Sequence, residues 1–148
     1  MQASDNAIRL IQEFEGYRSH AYSDPASKDG KPYTIGYGHT DGVYRGQQTS
    51  RDEALDWLHE DAQKAAQCVN TYVTRPVRQQ EFDALVSFVF NLGCTALRHS
   101  TLLKLLNQGE KKKAAEEFEK WVYANGHKID GLEKRRRREK HVFVSGYI

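Results

Sequence analysis

The chain lacks several features that would place it elsewhere. No apolar run approaches the roughly 20 residues of a membrane-spanning helix. The N-terminal stretch MQASDNAIRLIQEFEG is polar and broken by charge, unlike a secretory signal or a signal anchor. The expectation is a product soluble where it is made, which needs outside help to reach a target in another compartment. Cysteine is scarce. Cys68 falls in a helical pattern and Cys94 follows the Leu92-Gly93 step, with neither in a CxxC pair nor in metal-ligand spacing. The expected state is two small buried hydrophobes in a reducing cytosol; a disulfide is the alternative, which sequence cannot test because it does not place the two α-carbons.

A strong overall charge is also missing. The formal net charge is +2, yet the cations are uneven. Lys128 to His141 holds seven Lys/Arg against three acids. Such an excess attracts an anionic polymer, and nucleic acid, cell wall and membrane surface all fit that chemistry. With 148 residues, 39% hydrophobic and 28% charged, the chain suits a single domain with a real core, built as one body or two small lobes.

Ser4 or Asp5 caps a first helix over residues 4–15. Ile8, Ile11 and Glu15 share its face, and Gly16 ends it. Glu15 therefore sits at the helix end beside the buried stripe, where the dipole's negative pole and partial burial favour the neutral carboxyl that a general acid needs. The stretch EGYRSHAYSDPASKDGKPYTIGYGH then reads as a β-lobe. An extended segment from Tyr17 reaches Asp24-Pro25, Asp29-Gly30 supplies a hairpin turn, and Tyr33 to Gly38 returns as a strand. Gly36 and Gly38 lie on one face, where a ligand or backbone can approach closely. Residues 41–49 complete the lobe.

Ser50 and Glu53 form a capping box for a long helix to about Tyr72, with Leu55, Leu58, Ala62, Ala65, Val69 and Tyr72 on one face. The Arg75-Pro76 step breaks it. Gln79 to Leu92 is the most apolar helix and the expected centre of a helical lobe. Ser100 caps a short helix, residues 110–124 form another, NGHKIDG turns, and a last helix starts near Leu132. In that helix Leu132, Arg135/Arg136, Glu139 and Val142/Phe143 share a face. Charge on an inward face calls for an ion-pair network, and Glu15 is a candidate partner. Arg137 and Arg138 fall off that line, towards solvent.

Three separated segments resemble the phage-type lysozymes, the endolysins of glycoside hydrolase family 24. They are Glu15-Gly16-Tyr17-Arg18 with Asp24-Pro25 and Thr34-Ile35-Gly36-Tyr37-Gly38-His39; Ala84-Leu85-Val86-Ser87-Phe88 with Phe90-Asn91-Leu92-Gly93 and Ser100-Thr101-Leu102-Leu103; and Trp121-Val122-Tyr123 with Gly131-Leu132, Arg135-Arg136 and Glu139. They run in order along almost the whole chain.

The resemblance implies an α+β, mostly α, lysozyme-like fold. It would be one domain over 1–148, with a small β-lobe at 17–49 and a helical lobe made of 50–148 with helix 4–15. It implies a muramidase that hydrolyses the β-1,4 bond between N-acetylmuramic acid and N-acetylglucosamine. Glu15 would protonate the glycosidic oxygen, Asp24 would act as base or electrostatic support for the attacking water, and Thr34 would help orient it. An inverting reaction calls for carboxyls roughly 6.5–9.5 Å apart.

By the same resemblance Asn91 and Ser100 line the saccharide groove, His39 fixes the end of the β-lobe, and Arg135 or Arg136 pairs with Glu15. Peptidoglycan would be the substrate. No cofactor, metal, nucleic acid or stable membrane insertion is expected. The enzyme would be a monomer made in the host cytoplasm and released by a separate holin to act on the wall. Two other readings have distinct signatures. A lytic transglycosylase leaves an anhydro sugar and needs no water-directing carboxylate. A non-catalytic wall-binding or nucleic-acid-binding domain would use the basic C-terminal helix.

Overall fold

A computed structural model describes residues 1–23 and 33–147. The chain begins with helix α1 (Asp5–Glu15) and a hairpin of β1 (Arg18–Ser23) and β2 (Tyr33–Gly36). Five helices follow: α2 (Arg51–Tyr72), α3 (Gln79–Leu92), α4 (Cys94–Arg98), α5 (Thr101–Asn107) and α6 (Lys111–Glu117). A 3-10 turn over Phe118–Lys120, a small hairpin of β3 (Tyr123–Ala124) and β4 (His127–Lys128), and helix α7 (Asp130–Ser145) complete the order. This is the α+β, mostly helical layout expected from the sequence.

The first helix forms as its caps dictate. Ser4 Oγ accepts from the Ala7 amide at 3.3 Å, and Gly16, at φ 65°, returns its own amide to Gln12 O. Ala7, Ile8, Leu10 and Ile11 go inward. The centre of the helical lobe is α3, packed against α1, α2 and α7. Phe82, Leu85, Val86 and Phe88 are buried on it, each such side chain contributing about 1.5–3 kcal/mol through burial. Phe88 meets Phe118 and Trp121 edge-on at 5.7 and 5.5 Å.

The small lobe is a two-stranded antiparallel sheet with Tyr22 opposite Thr34 and an irregularity between Arg18 and Tyr22. Its Asp29-Gly30 turn lies outside the described residues. The 41–49 loop is bonded to β1 through Ala21 N to Gln47 O and Thr49 N to Ser19 O, both 2.9 Å. Ser50 caps α2 by accepting from Glu53 N at 3.2 Å, while the Glu53 carboxylate takes the Thr49 hydroxyl at 2.7 Å.

Four expectations need correction. First, Cys68 and Cys94 are joined in a disulfide, their α-carbons 5.9 Å apart, and are not reduced thiols. Packing of α4 against α2 creates that proximity, and periodicity carries no trace of it. Second, α4 was absent from the sequence reading; Gly93 ends α3 and opens α4 at once. Third, the 110–124 helix stops at Glu117. Asn125 and Gly126, at φ 52° and 80°, turn the chain between β3 and β4, as an Asn-Gly hairpin turn requires. Fourth, β2 stops at Gly36 rather than Gly38. Gly36 and Gly38 take φ of 64° and 77°, and Ile35 and His39 close the turn with two 2.9 Å hydrogen bonds.

Candidate active site

Glu15 is the last residue of α1, at the junction with the β-lobe. Its Oε1 accepts from Arg135 Nη1 at 3.1 Å. The Arg135 side chain is 4% exposed and that of Glu15 16%, so the cation is sealed in while the acid keeps an opening. Arg135 is held from several sides. Its Nε lies 3.3 Å from Glu139 Oε2, its Nη2 donates to Ser87 O at 3.3 Å, and its guanidinium sits 5.7 Å from the Phe14 ring centre.

The network continues inward. Glu139 is fully buried; its Oε2 takes the Ser87 hydroxyl at 2.6 Å and Arg136 Nη2 at 3.1 Å. Arg136 Nε lies 2.7 Å from Glu139 Oε1, close enough to pair but poorly aligned for a hydrogen bond. Arg136 Nη2 also donates to Asn91 Oδ1 at 2.8 Å, and its guanidinium lies 5.3 Å from the Phe88 ring. Burial pushes the Arg136 pKa down, with the Glu139 charge opposing. Each buried arginine faces a carboxyl group, which limits the cost of burying its charge.

Gly38 defines the other side of Glu15. A β-carbon built on it would lie 2.5 Å from Glu15 Oε2. The turn after β2 is therefore pressed against the carboxylate, and only glycine permits it. Gly36 makes the matching approach to α2, where its β-carbon would lie 2.9 Å from that of Ala54. Close approach was legible in the sequence; that the visitor is the Glu15 carboxylate was not. His39 anchors the same turn. Its Nδ1 lies 2.7 Å from Asp61 Oδ2, and its ring stacks on Trp57 at 4.6 Å.

A cavity of about 250 Å³ opens beside Gly38, walled by Thr40, Asp61, Lys64, Phe90 and Cys94. A larger one, about 400 Å³, lies between residues 1–3 and the other side of α2. Neither Glu15 nor Gly38 lines that one, so the smaller cavity is the better groove candidate.

Of the sequence-named residues, Glu15, Arg135, Arg136 and Asn91 come together in one network. Arg135, not Arg136, meets Glu15. Asn91 joins through Arg136, so its amide oxygen is already engaged. Thr34 stands half-buried on β2. Ser100 caps α5, as its place in the sequence implies, and is buried, accepting from Leu103 N at 3.0 Å and donating to Leu97 O at 2.7 Å. Asp24 lies outside the described residues. Asp61, Trp57 and Phe14 were missed, since nothing local marks them; Ser87, a hydroxyl on the most apolar helix, was a signal left unused. Among the described residues no group of three or more His, Cys, Asp or Glu is placed to hold a metal ion.

A helical lobe and a β-hairpin meeting at a helix-end carboxylate make a lysozyme-like fold. The phage lysozyme family profile matches residues 12–139. The endolysin of Acyrthosiphon pisum secondary endosymbiont phage 1 is 40% identical over 98% of this chain and 99% of its own. The endolysin of Bacillus phage B103 is 44% identical over 99% of this chain, which spans only 55% of that protein. The muramidase domain of SpmX from Asticaccaulis excentricus superposes with a TM-score of 0.88 at 34% identity, covering 97% of this chain and 98% of that one. The chain belongs to the phage lysozyme family.

Proposed function

We propose that the chain hydrolyses the β-1,4 bond between N-acetylmuramic acid and N-acetylglucosamine, with Glu15 as general acid. It is a peptidoglycan hydrolase, a lysozyme. The observation that carries the reading is Glu15 itself: one carboxylate oxygen held by a buried arginine, the other against a glycine turn, at the meeting of two lobes. A side chain locked on two sides keeps its geometry through the reaction. Asp24 supports the attacking water and Thr34 orients it; the support for both is the family motif. Ser100 and Asn91 shape the groove wall from behind, through the α5 cap and the Arg136 contact. His39 positions the Gly38 turn against Glu15.

The enzyme acts on the wall, outside the cytoplasm. The Cys68–Cys94 disulfide supports this, because such bonds persist in oxidising compartments. Among the described residues no helix is long and apolar enough to cross a membrane. We infer a monomer released by a separate holin, on the strength of the family resemblance.

Glu15→Gln should lower lysis of outer-membrane-permeabilised cells by about 10²–10⁴-fold, with an unchanged circular dichroism spectrum. Full lysis by that variant would refute the assignment. Product masses discriminate chemistry: a reducing muramic end marks hydrolysis, and an anhydro end marks a transglycosylase.

A further inference from the structure

Most cations of the basic stretch that stands out in the sequence are paired with acids in the folded protein. On α7 and the strand before it most of the cations are paired, while Lys134 is exposed with no ion pair among the described residues. Arg135 and Arg136 serve Glu15 and Glu139, Lys128 and Arg137 serve Glu133, and Lys140 holds Glu116 and Glu119. Glu133 is pulled below its ordinary value first by Arg137 and Lys140 is pushed above its own first by Glu119, as such pairing requires.

A second group of cations, three of them unpaired, gathers where the α2–α3 loop meets the α5–α6 corner. Residues 74–113 hold seven Lys/Arg against three acids, and two of those acids, Glu81 and Asp83, are buried. Arg75 reaches across to Asn107 O at 3.1 Å. Arg78 and Lys111 converge on Glu81 from two elements, at 3.6 and 3.0 Å. Lys104, Lys112 and Lys113 are exposed and have no ion pair among the described residues. Glu110 is the one exposed acid in this stretch. Lys111, Lys112 and Lys113 occupy the first turn of α6, where the helix dipole disfavours cations; Lys111 is held there by Glu81, while no pairing accounts for Lys112 and Lys113.

The opposite charge lies at the other end of the same axis. Residues 41–64, covering the β-lobe loop and the first two-thirds of α2, hold six acids against three Lys/Arg. The 22 residues of α2 span about 33 Å, so the protein is bipolar along that helix behind a net charge of only +2.

We propose that this corner, built on Arg75, Arg78, Lys104, Lys111, Lys112 and Lys113, is a second, non-catalytic docking surface for the carboxylate-bearing peptidoglycan network. It deepens the hydrolase reading and rests on it. An insoluble polyanion favours an enzyme that holds one strand while its cleft works on another, and a cation cluster about one helix length from the β-lobe supplies that grip. The corner carries none of the exposed large hydrophobic side chains among the described residues, so it suits a hydrated polyanion better than insertion into lipid.

The test removes the three unpaired lysines together, Lys104→Gln, Lys112→Gln and Lys113→Gln. In a Glu15→Gln background, pelleting with purified sacculi is followed from 20 to 300 mM salt (concentrations set by the screening length, roughly 20 to 6 Å). Removal should weaken pelleting at low salt by about tenfold and flatten the salt dependence. With Glu15 intact, the triple variant should keep its rate on a soluble oligosaccharide and its urea midpoint. Equal pelleting with and without the lysines would overturn the inference. So would lysine-dependent binding to phosphatidylglycerol vesicles with pelleting undiminished on carboxylate-amidated sacculi, since the ligand would then be the membrane. Loss of pelleting difference beside normal Glu15-dependent lysis sinks only the docking surface; lysis by Glu15→Gln sinks the hydrolase.

Discussion

Glu15 is constrained from opposite sides by one cation and one missing side chain. Gly38→Ala would add a methyl where Oε2 now sits, at a φ of 77° that alanine resists. It should cost about 1–3 kcal/mol of stability and, by displacing the carboxylate, lower lysis by roughly 10²-fold. Urea unfolding and turbidity measured side by side would separate the two; unchanged activity would mean that Glu15 tolerates displacement. Arg135→Gln leaves Glu139 facing Arg136 alone and Glu15 without its cation. Breaking such a buried pair costs about 3–5 kcal/mol, read as a lower denaturation midpoint. These effects trace to groups far apart in the chain. Glu15 was legible as a helix-end acid, and the Arg-Arg-Glu face of the last helix as a network in need of a partner. Which arginine reaches Glu15 depends on how α7 rolls against α3, and no local pattern records that.

Between elements, the disulfide and the β3–β4 turn decide what periodicity could not. Cys68 and Cys94, 26 residues apart, tie α2 to the start of α4 at the wall of the candidate groove. Closing a loop of that length stabilises by roughly 3–4 kcal/mol in the chain-entropy view. Cys68→Ser with Cys94→Ser, or wild type in reductant, should show that loss in urea unfolding; an unchanged midpoint would say that packing alone holds α4. The elements with clear caps and stripes, α1, α2, α3 and α5, were legible nearly to the residue. The 110–124 segment was not. Its apolar spacing continues past Glu117, while Asn125-Gly126 imposes a hairpin whose signal was read only as a turn.

At the scale of the molecule, α3 acts as a hub for segments distant in sequence. Asp83, fully buried on α3, accepts from Ser4 N at 3.1 Å, Gln79 Nε2 at 2.8 Å and the Tyr147 hydroxyl at 2.5 Å, and also from the Ser4 hydroxyl. Burial first, and then the bond to Asp83, pushes the Tyr147 pKa above its ordinary value of 10. With the folded-state pKa raised in this way, the clasp's contribution to stability is whole below pH 10 and shrinks as pH climbs beyond it, because the unfolded chain ionises first. Tyr147→Phe should therefore lower stability by about 1–2 kcal/mol at pH 7, and the gap to wild type should narrow at pH 11. No gap at pH 7 would show that the hydroxyl contributes nothing, and a gap unchanged at pH 11 would show that its ionisation is not linked to folding.

By itself the sequence determined the helix caps, the apolar faces, the glycine-bearing strand and the acid at the end of α1, because each rests on neighbours within a few residues. The tertiary structure alone decided that Arg135 rather than Arg136 completes the Glu15 site. It paired Cys68 with Cys94 and left Lys104, Lys112 and Lys113 unpaired at the α5–α6 corner while most cations of α7 found acids. Those outcomes depend on how whole helices pack, and packing sets which charges are neutralised and which are left facing water.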